Sequence, residues 1–415
     1  MNSQPEANPS LQRVITLPFL IFYGLGNIVG AGIYVLIGEI AGIVGYQTPF
    51  SFLIALFAVL GTAFSYAELS SCFPVSAGEA VYVKEGYGSD SLAIFIGFLI
   101  ICSGLVSSAT LIRGFYGYCA VFSGLTEYQI IVLIGVILFL IAVWGIGTSV
   151  AIASLFTLVE LGGLLVIIVV GSGLIQQQGT SFWELVPRGF SAWPAIFSGG
   201  FIAFYAFIGF EDMVNIAEEV KNPRVVMPMA IIAVLLLSTI LYCGVAMVTV
   251  LAVDPAELAR SRAPLAAVYS AATGRPATIL SLIGMAAVIN GALVQMIMVA
   301  RMLYGMSRQH WLPALFSRVN PVTRTPVQST ALVVAMVVLL ALWLPVLTLA
   351  KLTSFFILIT FTLVNGALIR IKKHHITRSD IMVIPLWVPY AAIVINFLLL
   401  GSELMALMKG FFQVV

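Results

Sequence analysis

The chain has 415 residues, 61% of them hydrophobic and only 9% charged, with a net charge of +2 and a mean hydropathy of +1.11. So few charges exclude a soluble globular chain and mark a polytopic helical membrane protein, while the small net charge says little about partners. Cys72, Cys102, Cys119 and Cys243 are scattered without CxxC spacing, and His310, His374 and His375 sit in basic loops, so neither a disulfide framework nor a metal centre is expected.

Eleven apolar spans follow one another, at about 14–43, 50–72, 91–122, 128–146, 149–175, 193–216, 227–252, 276–305, 328–345, 350–371 and 382–408. A membrane helix needs roughly 20 such residues. The first ten residues, MNSQPEANPS, lack the basic-then-apolar layout of a signal peptide, so the first span is expected to stay in the mature protein. That span carries Gly24, Gly26, Gly30 and Gly32 in its middle. Each glycine costs a helix interior about 1 kcal/mol relative to alanine. The run therefore reads either as a close-packing face or as a broken helix whose free backbone groups line a cavity. A dinucleotide-binding glycine fingerprint is set aside, because no strand or βαβ unit surrounds it.

Span six repeats the anomaly. Its core, FYAFIGFED at 204–212, holds Gly209 and then two acids, which a lipid-facing helix would not carry at this depth. Two interruptions five spans apart predict inverted repeats of spans 1–5 and 6–10, with a site at the half-helix ends. The expected divisions are a cytoplasmic tail at 1–13, a first repeat at 14–175, a second at 193–371 and an extra C-terminal helix at 382–415. The last tract reads as one long helix or as a helix plus a re-entrant piece. Twelve Lys and Arg residues against six favour a cytoplasmic N-terminus, with Arg113 left inside the third span. The loop at 253–276 is then external and predicts a short surface helix near 264–272. The loops at 73–90 and 217–228 are internal.

Five stretches, in order, resemble the amino acid–polyamine–organocation (APC) transporters. They are GNIVGAGIYVL at 26–36, SYAELSSCFPVSAGEAVYVKEGYG at 65–88, FIGFEDMVNIAEEVKNP at 207–223, RMLYGMSRQHWLP at 301–313 and NPVTRTPVQST at 320–330. The resemblance implies an all-α polytopic membrane protein with a LeuT-type five-plus-five inverted repeat and broken helices 1 and 6. Members usually have twelve spans, whereas this chain reads as about eleven.

A zwitterion needs a positive pole for its carboxylate and a negative one for its ammonium. The turn at Ile28, Val29, Gly30, Ala31 and Gly32 would offer N–H groups at a half-helix N-terminus, where the dipole favours an anion. The turn at Phe207, Ile208 and Gly209 would offer carbonyls to the ammonium. Tyr205 stands where the arginine/agmatine-antiporter branch carries an aromatic gate, and Phe207 is a candidate for the same wall; plain apolar packing is the alternative for both. Ser107 and Ser354 are candidates for lining the pocket, and Asn290 is a ligand or an interhelical hydrogen-bond bridge.

Coupling and gating fall to four charged residues. Glu211 matches the protonatable gate acid of that branch, and Asp212 is a second such acid or a helix-start cap. Glu160 replaces the lysine that cationic members carry in span five; it reads as a proton or cation site, or as an acid bonded to a neighbouring helix. Arg113 either binds an anionic group or forms a structural ion pair, and Glu68 and Arg301 read as an inner-gate or loop-anchoring network.

The implied function is secondary active transport of an amino acid or related amine by alternating access, as an antiporter or proton symporter in the cell's plasma (inner) membrane. A channel or a transport-like sensor is the alternative. An enzyme is not expected, since HExxH and GxSxG are absent. The partners expected are the substrate, protons, the lipid bilayer and a second copy of the chain as a homodimer, with no nucleic acid, cofactor or metal.

Overall fold

The computed structural model describes residues 13, 15–29, 31–75, 78–120, 122–144, 149–179, 181–308, 311–320, 325–373 and 382–414. Among the described residues fifteen α-helices run in chain order: α1 Leu17–Val29, α2 Ala31–Val44, α3 Thr48–Cys72, α4 Gly78–Tyr87, α5 Asp90–Cys119, α6 Glu127–Trp144, α7 Ser149–Gln178, α8 Trp193–Phe204, α9 Pro223–Ala252, α10 Pro255–Arg260, α11 Pro264–Thr273, α12 Thr278–Arg308, α13 Val327–Trp343, α14 Val346–Lys373 and α15 Trp387–Val414. Among the described residues eight stretches are long and apolar enough to cross a membrane, and three shorter apolar helices accompany them. One of the eight, Gly32–Cys72, has 41 residues. At about 1.5 Å per residue it covers two bilayer crossings, one made by α2 with α1 and one by α3. The eleven expected spans therefore all have helices. The protein is an all-α polytopic membrane protein.

Helix starts follow local chemistry. Ser89 caps α5 by accepting from the Leu92 N–H, Asp254 caps α10 by accepting from Ala256, and Pro49, Pro194 and Pro223 open α3, α8 and α9, where a proline's missing N–H costs nothing. The connection between spans seven and eight carries two short helices, α10 and α11, where one was expected. The last tract is a single helix, α15.

Four pairs of spans five apart lie against each other. Helix α3 packs along α9, α5 along α12, α6 along α13, and α2 along α8. These are spans two with seven, three with eight, four with nine and one with six. The core fills the space between them, and large apolar side chains such as Phe57, Val169 and Ile240 stand exposed on the outer, lipid-facing surface.

The predicted interruption of span six is present. Span one is helical to Val29 and again from Ala31, and Gly30, where its break is expected, lies outside the described residues. In span six the α-helix stops at Phe204, a 3-10 turn covers Tyr205–Phe207, and Gly209 takes φ +123°. The chain then continues as a nine-residue 3-10 segment, Glu211–Glu219. Only glycine adopts that φ readily.

Candidate functional site

The glycine-rich middle of span one meets the interruption of span six at backbone distance. A Cβ on Gly32 would stand 2.3 Å from the Cα of Ala206, and one on Gly209 would stand 2.8 Å from the carbonyl oxygen of Asn27. Tyr242 of α9 joins the two segments. Its hydroxyl lies 2.6 Å from the Ile28 carbonyl and 2.9 Å from that of Ala206, so one donor is shared between two carbonyls. In span six, the Gly209 N–H donates to Glu211 Oε2 at 2.8 Å.

Two adjoining cavities open beside the breaks. The space open to a water's centre is about 30 Å³ in the larger and about 10 Å³ in the smaller, room for about two waters and one. Asn27, Ile28, Gly32, Leu111, Tyr205 and Val294 wall the larger one, and Ser107, Ile208 and Gln295 are shared by both. Asn27 Nδ2 is buried there without a partner, a free donor. The Tyr205 hydroxyl is 3.1 Å from Ser107 Oγ, which ties span six to span three across the cavity. Glu79, Glu211 and Asp212 wall the smaller cavity, beside Ser103, Thr353 and Thr360. Gln295 Nε2 donates to Asp212 Oδ2 at 3.1 Å.

The structure thus brings together Ile28, Gly32, Ser107, Tyr205, Ile208, Glu211 and Asp212. Glu211 and Asp212 line the same cavity. Other expected residues lie elsewhere. Val29 is fully buried and walls neither cavity, Gly30 lies outside the described residues, and nothing is described of the Ala31 side chain. Phe207 turns away from the site onto Tyr242, with ring centroids 5.3 Å apart, so it is core and not substrate wall. Gly209 contributes the close approach to Asn27 and no cavity surface. Ser354 is buried with its hydroxyl unpartnered and faces neither cavity; its neighbour Thr353 does, because one residue turns a helix by about 100°.

Asn290 donates to Glu160 Oε1 at 3.3 Å, which makes it an interhelical bridge. Glu160 is fully buried with Oε2 unpartnered, within electrostatic reach of Tyr34 and Tyr242 but outside both cavities. Arg113 is a structural residue. It pairs with Glu127 at 2.9 Å and donates to the carbonyls of Ala341 and Leu344 at the end of α13. It lies six residues before Cys119, the last of α5, about 9 Å along the axis, so it is shallower than the apolar run suggested. Glu68 accepts from Lys372 and from the Ile384 N–H, anchoring the connection between α14 and α15, whereas Arg301 is exposed.

Sequence reasoning missed Asn27, Glu79, Tyr242 and Gln295. Asn27 and Glu79 lie inside the APC-like motifs, and a polar residue in a glycine-rich apolar run was the available signal for Asn27. Burial pushes the Glu79 carboxyl up to about 8; its own backbone N–H opposes the shift and the charge of Asp212 adds to it.

A family profile described as amino acid permease matches residues 15–413. The chain belongs to the amino acid permease family of the APC superfamily. This permease is similar to cationic amino acid transporter 3, mitochondrial, of Arabidopsis thaliana, with 32% identity over 389 residues that cover 87% of this chain and 63% of the relative. It is similar to the branched-chain amino acid permease BcaP of Bacillus subtilis (strain 168), with 29% identity and coverage of 88% and 82%. The methylthioribose transporter of the same bacterium matches at 28%, with coverage of 90% and 84%. The permease therefore spans under two thirds of the first plant relative and over four fifths of the two bacterial ones.

Proposed function

We propose that this permease is a secondary transporter that carries an amino acid or related amine by alternating access, with the substrate held between the interruptions of spans one and six. The observation that carries the reading is the close approach of span one to the interruption of span six, Gly32 against Ala206 and Gly209 against Asn27. It brings the unpartnered Asn27 amide and the Tyr205–Ser107 pair to one cavity wall. An amino acid's carboxylate is matched by the N–H groups and the Asn27 amide, and its ammonium by carbonyls of the span-six turn. Two waters' worth of space is less than an amino acid needs, so spans one and six part to admit it. The packing of spans five apart supports five-plus-five inverted repeats, 14–175 and 193–371, that move against each other. The relatives named for amino acids support the substrate class.

The reading places the N-terminus in the cytoplasm of the plasma (inner) membrane, on the excess of basic residues in the loops of that side. Protons are the coupling ion it includes, and a second copy of the chain is its one macromolecular partner. A thermal-shift screen of the purified permease with all twenty amino acids and common amines tests the site. One or more ligands should raise the melting temperature of the wild type, and Asn27→Ala should weaken that ligand at least tenfold. Equal stabilisation of both proteins would refute the site as drawn.

A further inference from the structure

The smaller cavity holds a group that the substrate site does not use. Glu79 comes from α4, the short helix between spans two and three, and is 3% exposed. Its Oε2 has no hydrogen-bond partner, and the residue walls the cavity that Glu211 and Asp212 enter from span six. The opposite side of α4 is solvated: Lys84 and Asp90 form an ion pair there with side chains more than half exposed. Glu79 thus stands between the substrate region and the face of the protein that bears α4.

Around Glu79, span six supplies Glu211 and Asp212; α3 supplies Tyr66 and α4 itself Tyr82, both with unpartnered hydroxyls. Helices α5, α12 and α14 supply Ser103, Gln295, Thr353 and Thr360, which carry no charge. No lysine, arginine or histidine lines the cavity among the described residues. The cations attached to α4 are engaged elsewhere, Lys84 with Asp90 and Arg370 over the Tyr87 ring at 4.5 Å. A dry cavity does not hold three like charges without a counter-cation. The three acids are not arranged as a metal cluster, among the described residues. The space fits one water, and that water finds several polar partners.

We infer that Glu79 is a proton-binding group of this carrier, which receives a proton from the Glu211–Asp212 pair through the cavity water and releases it to the face that bears α4. In that step the O–H bond of the Glu211 or Asp212 carboxyl breaks and a water O–H forms. A second water O–H breaks and the Glu79 carboxyl gains the proton. The water is regenerated and the negative charge moves from Glu79 to the donor acid. After Glu79 gives its proton to the face that bears α4, the donor acid takes up the next proton from the opposite side when the carrier reopens there. The role rests on the transport reading above, and its test is separable from that reading.

Two measurements decide it. Infrared difference spectra of the protein in vesicles, taken across pH 5 to 10, read the C=O band of protonated carboxyls. The wild type should show a carboxyl titrating near pH 8, which Glu79→Gln removes and Glu79→Asp retains. Proteoliposomes containing a pH-sensitive dye are then given labelled L-lysine or L-leucine. The number of protons moved per labelled molecule should fall at least tenfold in Glu79→Gln and recover in Glu79→Asp. An unchanged infrared titration in Glu79→Gln overturns the assignment, as does an unchanged proton-to-substrate ratio. Substrate exchange by the wild type without proton movement overturns it too. If the wild type exchanges no amino acid, the transport reading fails instead, and the infrared titration alone decides whether Glu79 binds the proton.

Discussion

Replacing Glu79 by glutamine should change how the permease's stability depends on pH. A carboxyl whose value rises from 4.5 unfolded to about 8 folded binds more protons in the folded state. Its contribution is therefore fully present below about pH 4.5 and is lost as pH rises through about 8. The span is 8 − 4.5, or about 3.5 pH units, and at 1.36 kcal/mol per unit the loss is about 5 kcal/mol. Unfolding entropy of about 2.1 cal/mol/K per residue over 415 residues gives about 0.9 kcal/mol/K, so the loss corresponds to about 5 °C in melting temperature. Glutamine keeps the shape and does not titrate. The melting temperature of Glu79→Gln minus that of the wild type should then climb by about 5 °C between pH 5 and pH 9, read by intrinsic fluorescence in detergent. Parallel curves for the two proteins would show that Glu79 is not held in a dry site, and the argument from its burial would fall.

Gly32→Ala should lower the melting temperature and abolish ligand stabilisation together, because its Cβ meets the Ala206 backbone and overpacking of this kind costs about 1–3 kcal/mol. A Gly32→Leu variant is expected to fold poorly as well, for the same reason. A Gly32→Ala protein with wild-type melting and binding would contradict the close approach. Tyr242→Phe strands the carbonyls of Ile28 and Ala206 and should cost about 1–3 kcal/mol, seen as a lower melting temperature and faster amide hydrogen exchange near both breaks. Unaltered exchange there would mean that the hydroxyl does not join them.

Much of the fold is legible because a bilayer imposes one rule on every span: hydropathy and length locate each helix, and charged or glycine-rich exceptions locate the breaks. The GFED run at 209–212 announced the interruption of span six for this reason. Orientation of side chains was harder to read. Phe207 and Ile208 are neighbours of similar apolar type, yet one packs on Tyr242 and the other walls the cavities, a choice set by the backbone turn at Gly209. Glu79 looked like an ordinary loop acid because the connection between spans two and three is polar; its burial comes from α4 folding inward against α5 and α14. Arg113 carried a real signal, a charge in an apolar run, but its partner Glu127 becomes adjacent only when α5 and α6 form a hairpin.

The central claim is that the cavity between spans one and six carries substrate across the membrane in alternate exposure. Counterflow tests it most directly. Proteoliposomes are loaded with an unlabelled amino acid that stabilises the purified protein, then diluted into a trace of the same compound in labelled form. The account predicts transient, saturable accumulation of label above equilibrium in the wild type, and none in a Tyr205→Ala variant that still folds. Linear, non-saturable entry of label would mark a channel, and binding without any flux would mark a sensor; either result contradicts the account.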